Sequence, residues 1–204
     1  MKPILRIAVL LTVLATSCRK APLLSLASDK QNQVIAIQPL DDYNVQDIQP
    51  VLEALRRFYH KPVIVLEPIA MPGSWCTGAD HLYAADSILN YLSNVQNDSI
   101  VDVAGLTHKP LFTIKEEQAR PVYDAYIIGL GYQPGNACVV SDYKISAENN
   151  ARYIRSVLKA VMHELGHNMG LPHCADNACI MSETNGGSDY CTACKKLLNK
   201  YGFG

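Results

Sequence analysis

The sequence has almost no net charge and no apolar segment long enough to span a membrane. Its 18 Lys and Arg residues nearly balance 19 Asp and Glu residues, so the formal net charge is −1. Nucleic-acid-binding proteins usually carry a basic patch or stripe, and this balance gives no electrostatic argument for such a partner. The apolar run at residues 7–15 is shorter than the roughly 20 residues that a membrane-spanning helix needs. No internal repeat is present.

The composition and the order of segments predict one α/β domain over residues 33–204. About half of the 204 residues are hydrophobic (49%), which is enough for a packed core. Apolar runs typical of strands alternate with amphipathic segments typical of helices, and this order favours a mixed β-sheet covered by helices. We expect strands at residues 34–40, 63–66, 100–106, 123–130 and 137–140, the last at the sheet edge. We expect helices starting at Asn44 or Asp47, at Asp80 (to about Val95), and at Asn149 or Asn150 (to about Met169).

The N-terminus has the layout of an export signal. Positive charge at Lys2 and Arg6 precedes the apolar run, and small residues follow it up to Cys18. This order predicts a signal peptide at residues 1–17 and a polar tether at 18–32. The residues before Cys18 resemble a bacterial lipobox, which predicts a lipidated Cys18 and a membrane-anchored lipoprotein of the cell envelope. An ordinary signal peptide with an incidental cysteine is the alternative.

The strongest motif in the sequence is HELGH at residues 163–167. Histidines four apart lie on the same face of a helix, one turn from each other, so His163 and His167 can bind the same metal ion. The preceding residues favour a helix, because apolar side chains recur at helical spacing from Ile154 to Val161. We therefore predict that the motif lies late in a long amphipathic helix.

The next six residues, NMGLPH, predict a third histidine ligand. Gly170 can adopt the positive φ that ends the helix, and Pro172 prevents the helix from continuing. We expect the chain to turn back there and present His173 to the same metal. Three histidine ligands leave the fourth zinc position open to water, as in catalytic rather than structural sites.

Glu164 follows the first histidine and is the predicted general base. Next to a zinc ion that activates water, its carboxylate can accept a proton and pass it to a leaving amine. This chemistry hydrolyses peptide bonds without a covalent intermediate. The complete pattern HExxHxxGxxH is far more specific than HExxH alone, because each histidine and the glycine has a defined role.

Four cysteines follow the histidine motif closely. Cys174 and Cys179 form one pair, and Cys191 and Cys194 form a second pair with CxxC spacing. Two such pairs are typical of a tetrahedral four-cysteine zinc site. Export to an oxidising compartment leaves two disulfides as an alternative, and a redox-active CxxC as another. A disulfide between the remaining cysteines, Cys76 and Cys138, also stays open.

The histidine motif followed by the four cysteines resembles the signature of the archaemetzincins, a family of zinc metallopeptidases of the metzincin clan. The resemblance implies a metzincin-like zincin domain with a mixed β-sheet, an active-site helix and a cysteine-rich, zinc-stapled C-terminal segment. It further implies two zinc ions per chain, one catalytic and one structural, and a methionine turn at Met181 beneath the catalytic metal. Residues 126–140 resemble the family's penultimate strand and its substrate-facing edge strand.

The sequence therefore predicts a zinc-dependent peptidase that acts on peptides or proteins. Two other hypotheses remain open: a non-enzymatic exported zinc-binding or interaction module on a metzincin scaffold, and an exported thiol-redox protein. Met181 could also be ordinary core filling, and His60, His81 and His108 are isolated histidines that we do not expect to bind metal. The sequence does not define the oligomeric state.

Overall fold

A computed structural model describes residues 33–78, 80–95, 99–117, 120–184 and 186–201. The predicted signal peptide, the predicted lipidation site Cys18 and the tether lie outside the described residues. Of the helices in the described ranges, none combines the length and the apolar character that crossing a membrane requires. The predicted domain boundaries at residues 17 and 32 stay predictions.

The described residues form two β-sheets and four α-helices. The strands are β1 (Val34–Pro39), β2 (Val63–Val65), β3 (Cys76–Thr77), β4 (Leu82–Ala84), β5 (Ile100–Thr107), β6 (Leu111–Glu117), β7 (Arg120–Ile127), β8 (Gly129–Gly131) and β9 (Ala137–Ser141). The helices are α1 (Gln49–Tyr59), α2 (Ala85–Ser93), α3 (Asn150–Asn168) and α4 (Thr192–Tyr201).

The larger sheet has the strand order β2-β1-β5-β9-β8 and is mixed, as predicted. Four of its strands are parallel, and β8 pairs with β9 in the antiparallel direction. Alternate residues of a strand point to opposite faces, so Ile35 and Ile37 pack with α1 and α3, whereas Ala36 packs with α2. Both faces of the sheet are therefore covered, which explains why β1 and β9 each begin with four consecutive apolar residues.

The long helix α3 begins and ends where the sequence predicts. Asn149 is its N-cap, and the Asn149 side chain accepts a hydrogen bond from the backbone N–H of Arg152. Gly170, just beyond the helix, has a φ of 89°. This left-handed conformation is the one that a glycine adopts without strain, and it turns the chain away from the helix axis.

The structure corrects the prediction for residues 123–140. The predicted strand at 123–130 is two strands in different sheets, because Tyr126 has a φ of 59° and Ile128 separates β7 from β8. The strand predicted at 137–140 is present, but its predicted position at the sheet edge is wrong. It corresponds to β9, which lies between β5 and β8, and β8 forms the edge.

A second sheet, with the order β3-β4-β6-β7, was not predicted. Its first two strands have two and three residues, too few to show a periodic pattern. The helix expected from Asp80 begins only at Ala85, because residues 82–84 form β4 and pair with β3 and β6. The C-terminal helix α4 was not predicted either.

Candidate catalytic metal centre

The three histidines of the motif converge on one point. His163 and His167, one turn apart on α3, have their Nε2 atoms 3.1 Å apart. The turn at Gly170 brings His173 back, with its Nε2 atom 3.2 Å from that of His167. The structure thus places all three predicted ligands together, and their ligand atoms all lie within 4.8 Å of one another.

Hydrogen bonds on the opposite side of each ring determine its tautomer. The Nδ1 atom of His163 lies 2.8 Å from the carbonyl oxygen of Ile180, and Nδ1 of His167 lies 2.9 Å from that of Leu171. A carbonyl oxygen only accepts, so both Nδ1 atoms carry the hydrogen. Nδ1 of His173 lies 3.0 Å from a carboxylate oxygen of Glu183. Each Nε2 atom is left with a lone pair that points toward the other two, the arrangement found in metal-binding histidines.

The chemistry of this donor set fits a zinc ion. Three neutral nitrogens that face one another have no hydrogen to share, and a cation between them removes the repulsion of their lone pairs. Nitrogens bound tetrahedrally to zinc at about 2.0–2.1 Å would lie about 3.3–3.4 Å apart, close to the distances found here. Burial lowers the pKa of His167 to about 4 and also lowers the pKa of His163, which keeps both rings neutral.

Glu164 lies at the same centre in an unusually confined position. It is 8% exposed, and burial raises the pKa of its carboxyl group to about 8. Its side chain packs against the backbone of β8 at Gly129, where a Cβ atom would come within 2.6 Å of Oε1 of Glu164. The absence of a side chain at residue 129 therefore makes room for the predicted general base.

The sequence analysis did not identify the contribution of Gly129 and Gly131. The two glycines alternate along a strand, so both face α3, and a Cβ at Gly131 would lie 2.9 Å from the backbone oxygen of Glu164. Alternating glycines in an apolar strand indicate close approach by another element. That signal was present in the sequence, but it does not reveal which element approaches.

A cleft of about 970 Å³ runs along β8 and opens over the histidines. One wall is the edge strand with the preceding residues Ile127 and Ile128, and the other is the α3 face that carries Ser156 to His167. Residues of the loops after β9 and after Met181 also line the cleft. The edge strand implied by the family resemblance corresponds to β8 rather than to β9.

The four cysteines form a second cluster behind the histidines. The Sγ atoms of Cys174 and Cys191 lie 3.8 Å apart, and those of Cys179 and Cys194 lie 3.7 Å apart. All six described cysteines are free. Sulfurs bound tetrahedrally to zinc at about 2.3 Å lie about 3.8 Å apart, whereas bonded sulfurs lie about 2.05 Å apart. The spacing of the sulfurs therefore fits a four-cysteine metal site.

Backbone groups around this cluster favour thiolates, the form that binds metal. The backbone N–H of Cys191 donates to Sγ of Cys179 over 3.3 Å. At the start of α4, a hydrogen bond from the backbone of Cys194 is the main cause that lowers the pKa of the Cys191 thiol to about 7. Donors of this kind stabilise negative charge on sulfur, whereas burial raises the pKa of the Cys194 thiol, which lies deeper in the cluster.

Ile180 and Met181 connect the cysteine cluster to the histidines through packing and hydrogen bonds. Met181 is fully buried against α3, and a Cβ at Gly166 would come within 2.5 Å of its sulfur. The carbonyl oxygen of Met181 accepts from the backbone N–H of Cys174, and the preceding residue, Ile180, holds the ring of His163. The cysteine cluster is thus connected to the carbonyl group that orients the ring of His163.

The remaining cysteines and histidines lie outside both clusters. Cys76, on β3, and Cys138, on β9, are free thiols in different sheets, and no disulfide joins them. His108 pairs with Asp142, and His81 contacts Cys76. His60 follows α1 in the left-handed conformation. None of these three histidines belongs to a metal-binding group of the described residues.

A mixed α/β domain whose longest helix presents two histidines and a glutamate, with a third histidine beyond a glycine turn, is a zinc-dependent metallopeptidase. Comparison with known proteins supports this class. The model of "Peptidase family M54" matches residues 45–200. The chain is 32% identical to an archaemetzincin of Aeropyrum pernix over 154 residues, which cover 67% of this chain and 83% of the relative.

Two further comparisons agree. An archaemetzincin of Haloquadratum walsbyi is 26% identical over 158 residues, covering 73% of this chain and 86% of the relative. The crystal structure of archaemetzincin from Methanopyrus kandleri matches with a TM-score of 0.72 at 22% identity, covering 86% of this chain and 98% of that one. The chain therefore belongs to peptidase family M54, the archaemetzincins, as the sequence resemblance implied.

Proposed function

We propose that this chain hydrolyses peptide bonds at a zinc ion held by His163, His167 and His173, with Glu164 as the general base. The observation that carries the proposal is the convergence of three Nε2 atoms whose rings each direct Nδ1 to a carbonyl or carboxylate oxygen. When bound, zinc supplies Lewis-acid chemistry that acidifies a water molecule and polarises a carbonyl group.

The protein's own residues would position the substrate and move the proton. The outer side of β8 is a sheet edge, to which an extended peptide can add as a further strand with its scissile bond over the histidines. In its deprotonated form, Glu164 would take a proton from the attacking water and pass it to the leaving amine. Its confinement by Gly129 and α3 keeps the carboxylate aimed at the same point in both steps.

The second part of the proposal is a structural zinc ion at Cys174, Cys179, Cys191 and Cys194, which brings the total to two zinc ions per chain. The sulfur spacing and the backbone donors described above support it. Four thiolates leave no open position for water, so this metal would stabilise the fold and take no part in chemistry. The segment from Leu171 to Cys194 contains little helix or strand, so a metal at the cluster would be what orders it.

The third part concerns location. The N-terminal sequence supports export to the bacterial cell envelope and attachment through a lipid on Cys18. Metabolic labelling with a radioactive fatty acid should mark the wild-type chain and leave Cys18→Ser unlabelled. Equal labelling of both chains, or of neither, would remove the anchor from the proposal.

Zinc removal tests the proposed function directly. Incubation with a chelator should abolish cleavage of a peptide library, and added zinc should restore it, because the Lewis acid is lost and then replaced. The readout is product formation by mass spectrometry. Zinc bound at the histidines without cleavage of any peptide would instead support the non-enzymatic module.

A further inference from the structure

The cleft beside the histidines is lined by more lysines than acidic residues. Its lining includes the lysines 115, 144 and 159, and its two acidic residues are Glu164 and Glu183. We propose that Lys159 and Lys144 form a subsite for a carboxylate, which selects peptides that carry one close to the scissile bond. The inference rests on the proposed peptidase function and assigns its substrate class.

Lys159 is placed to face the substrate. It precedes His163 by four residues on α3, so both side chains lie on the same face of the helix, one turn apart. It lines the cleft and is only partly exposed. The same cleft is lined by His163, His167 and His173, so Lys159 borders the space beside the metal centre.

Neither lysine of the proposed subsite has an acidic partner among the described residues. No ion pair there involves Lys159, and the Nζ atom of Lys144 lies over the ring of Tyr126, 4.7 Å from the ring centroid. Lys115 differs, because it pairs with Asp124 over 2.7 Å. Lys159 is partly buried without a described counter-ion, which is costly and favours binding of an anion, and Lys144 adds an exposed positive charge.

The two carboxylates that line the cleft do not neutralise Lys144 and Lys159. Glu183 bonds to Nδ1 of His173, and Glu164 packs against Gly129. The hydroxyl-bearing residues Ser146 and Ser156 line the same cleft and can donate hydrogen bonds to a carboxylate. Two cations and two hydroxyl groups beside the histidines suit either an acidic side chain or the free C-terminal carboxylate of a short peptide.

Matched peptides distinguish these two sources of a carboxylate. One set replaces Glu by Gln at each position flanking the cleaved bond, and the other compares a free C-terminus with a C-terminal amide. For the wild-type protein, kcat/KM should favour the acid over its neutral partner by on the order of tenfold in one of the two sets. The preference should weaken from about 0.05 to about 0.5 M salt, because salt screens exposed charges.

Lysine variants test the assignment. Lys159→Gln should bring the acid-to-neutral ratio of kcat/KM close to one, Lys159→Glu should reverse it, and Lys144→Gln should reduce it. Lys196→Gln, an exposed lysine of α4 outside the cleft, should leave the ratio unchanged. Equal kcat/KM for both peptides in both sets, or an unchanged ratio in Lys159→Gln, would overturn the subsite.

Binding measurements separate this proposal from the peptidase function. Zinc-loaded Glu164→Gln should hold the peptides without cleaving them, so fluorescence anisotropy gives their Kd directly. The acid should bind on the order of tenfold more tightly, and adding Lys159→Gln should remove the difference. If no peptide is cleaved by the wild type but this binding preference is present, the peptidase function fails and the subsite stands.

Discussion

Glu164→Gln should lower kcat for peptide hydrolysis by roughly 10²- to 10⁴-fold, the contribution expected of a positioned general base. The amide keeps the size of the side chain but cannot accept the proton from the attacking water. Because Glu164 is not among the three converging ligands, the zinc content should not change. Steady-state kinetics together with elemental analysis of the same samples measure both quantities.

Two further variants test whether the loss of activity in Glu164→Gln is specific to the position of the Glu164 carboxylate. Glu53→Gln, at an exposed glutamate of α1, should keep full activity. Gly129→Ala should reproduce part of the loss with zinc retained, because its Cβ would occupy the space of the Glu164 carboxylate and displace it. A fully active Glu164→Gln would show that another group is the base and would remove the proposed proton transfer.

Cys179→Ser should remove one zinc ion per chain and lower the free energy of unfolding by about 4 kcal/mol or more, as expected for the loss of a structural metal. Cys179 is fully buried at the centre of the cysteine cluster. Activity should fall as well, because the neighbouring residue Ile180 holds the ring of His163 through its carbonyl oxygen. Urea unfolding, zinc analysis and peptide cleavage give the three readouts.

Cys76→Ser is the matched control, since Cys76 is a free thiol outside the cluster. It should keep both zinc ions and full activity. If the cluster holds disulfides instead, wild-type and Cys179→Ser proteins will contain equal zinc. Mass spectrometry of the unreduced wild type will then find the four cysteines linked in pairs. That pattern would contradict the structural zinc ion and leave the catalytic centre unaffected.

The grouping of the three histidines was predictable because they are close in sequence. Helical spacing places His163 and His167 together, and Gly170 with Pro172 returns the chain to deliver His173. The same holds for the four cysteines, which span only residues 174–194. A short stretch of chain restricts where its side chains can lie. The structure brings the three histidines together and the four cysteines together, as expected.

The features that the sequence did not reveal depend on distant partners. The strand order that makes β8 the edge depends on pairing with β9, and the apolar residues 123–130 gave no sign of the break near Tyr126. The short strands of the second sheet are specified by their neighbours rather than by their own periodicity. The role of Gly129 likewise depends on α3, which lies more than 20 residues further along the chain.

The zinc content of the purified wild-type protein tests the central claim most directly. The protein should be prepared without chelator and under reducing conditions, and zinc should be measured by elemental analysis against protein concentration. The account predicts two zinc ions per chain, one at the three histidines and one at the four cysteines. A His167→Ala variant should then retain one. A wild-type protein that binds no zinc would contradict both centres and, with them, the proposed mechanism.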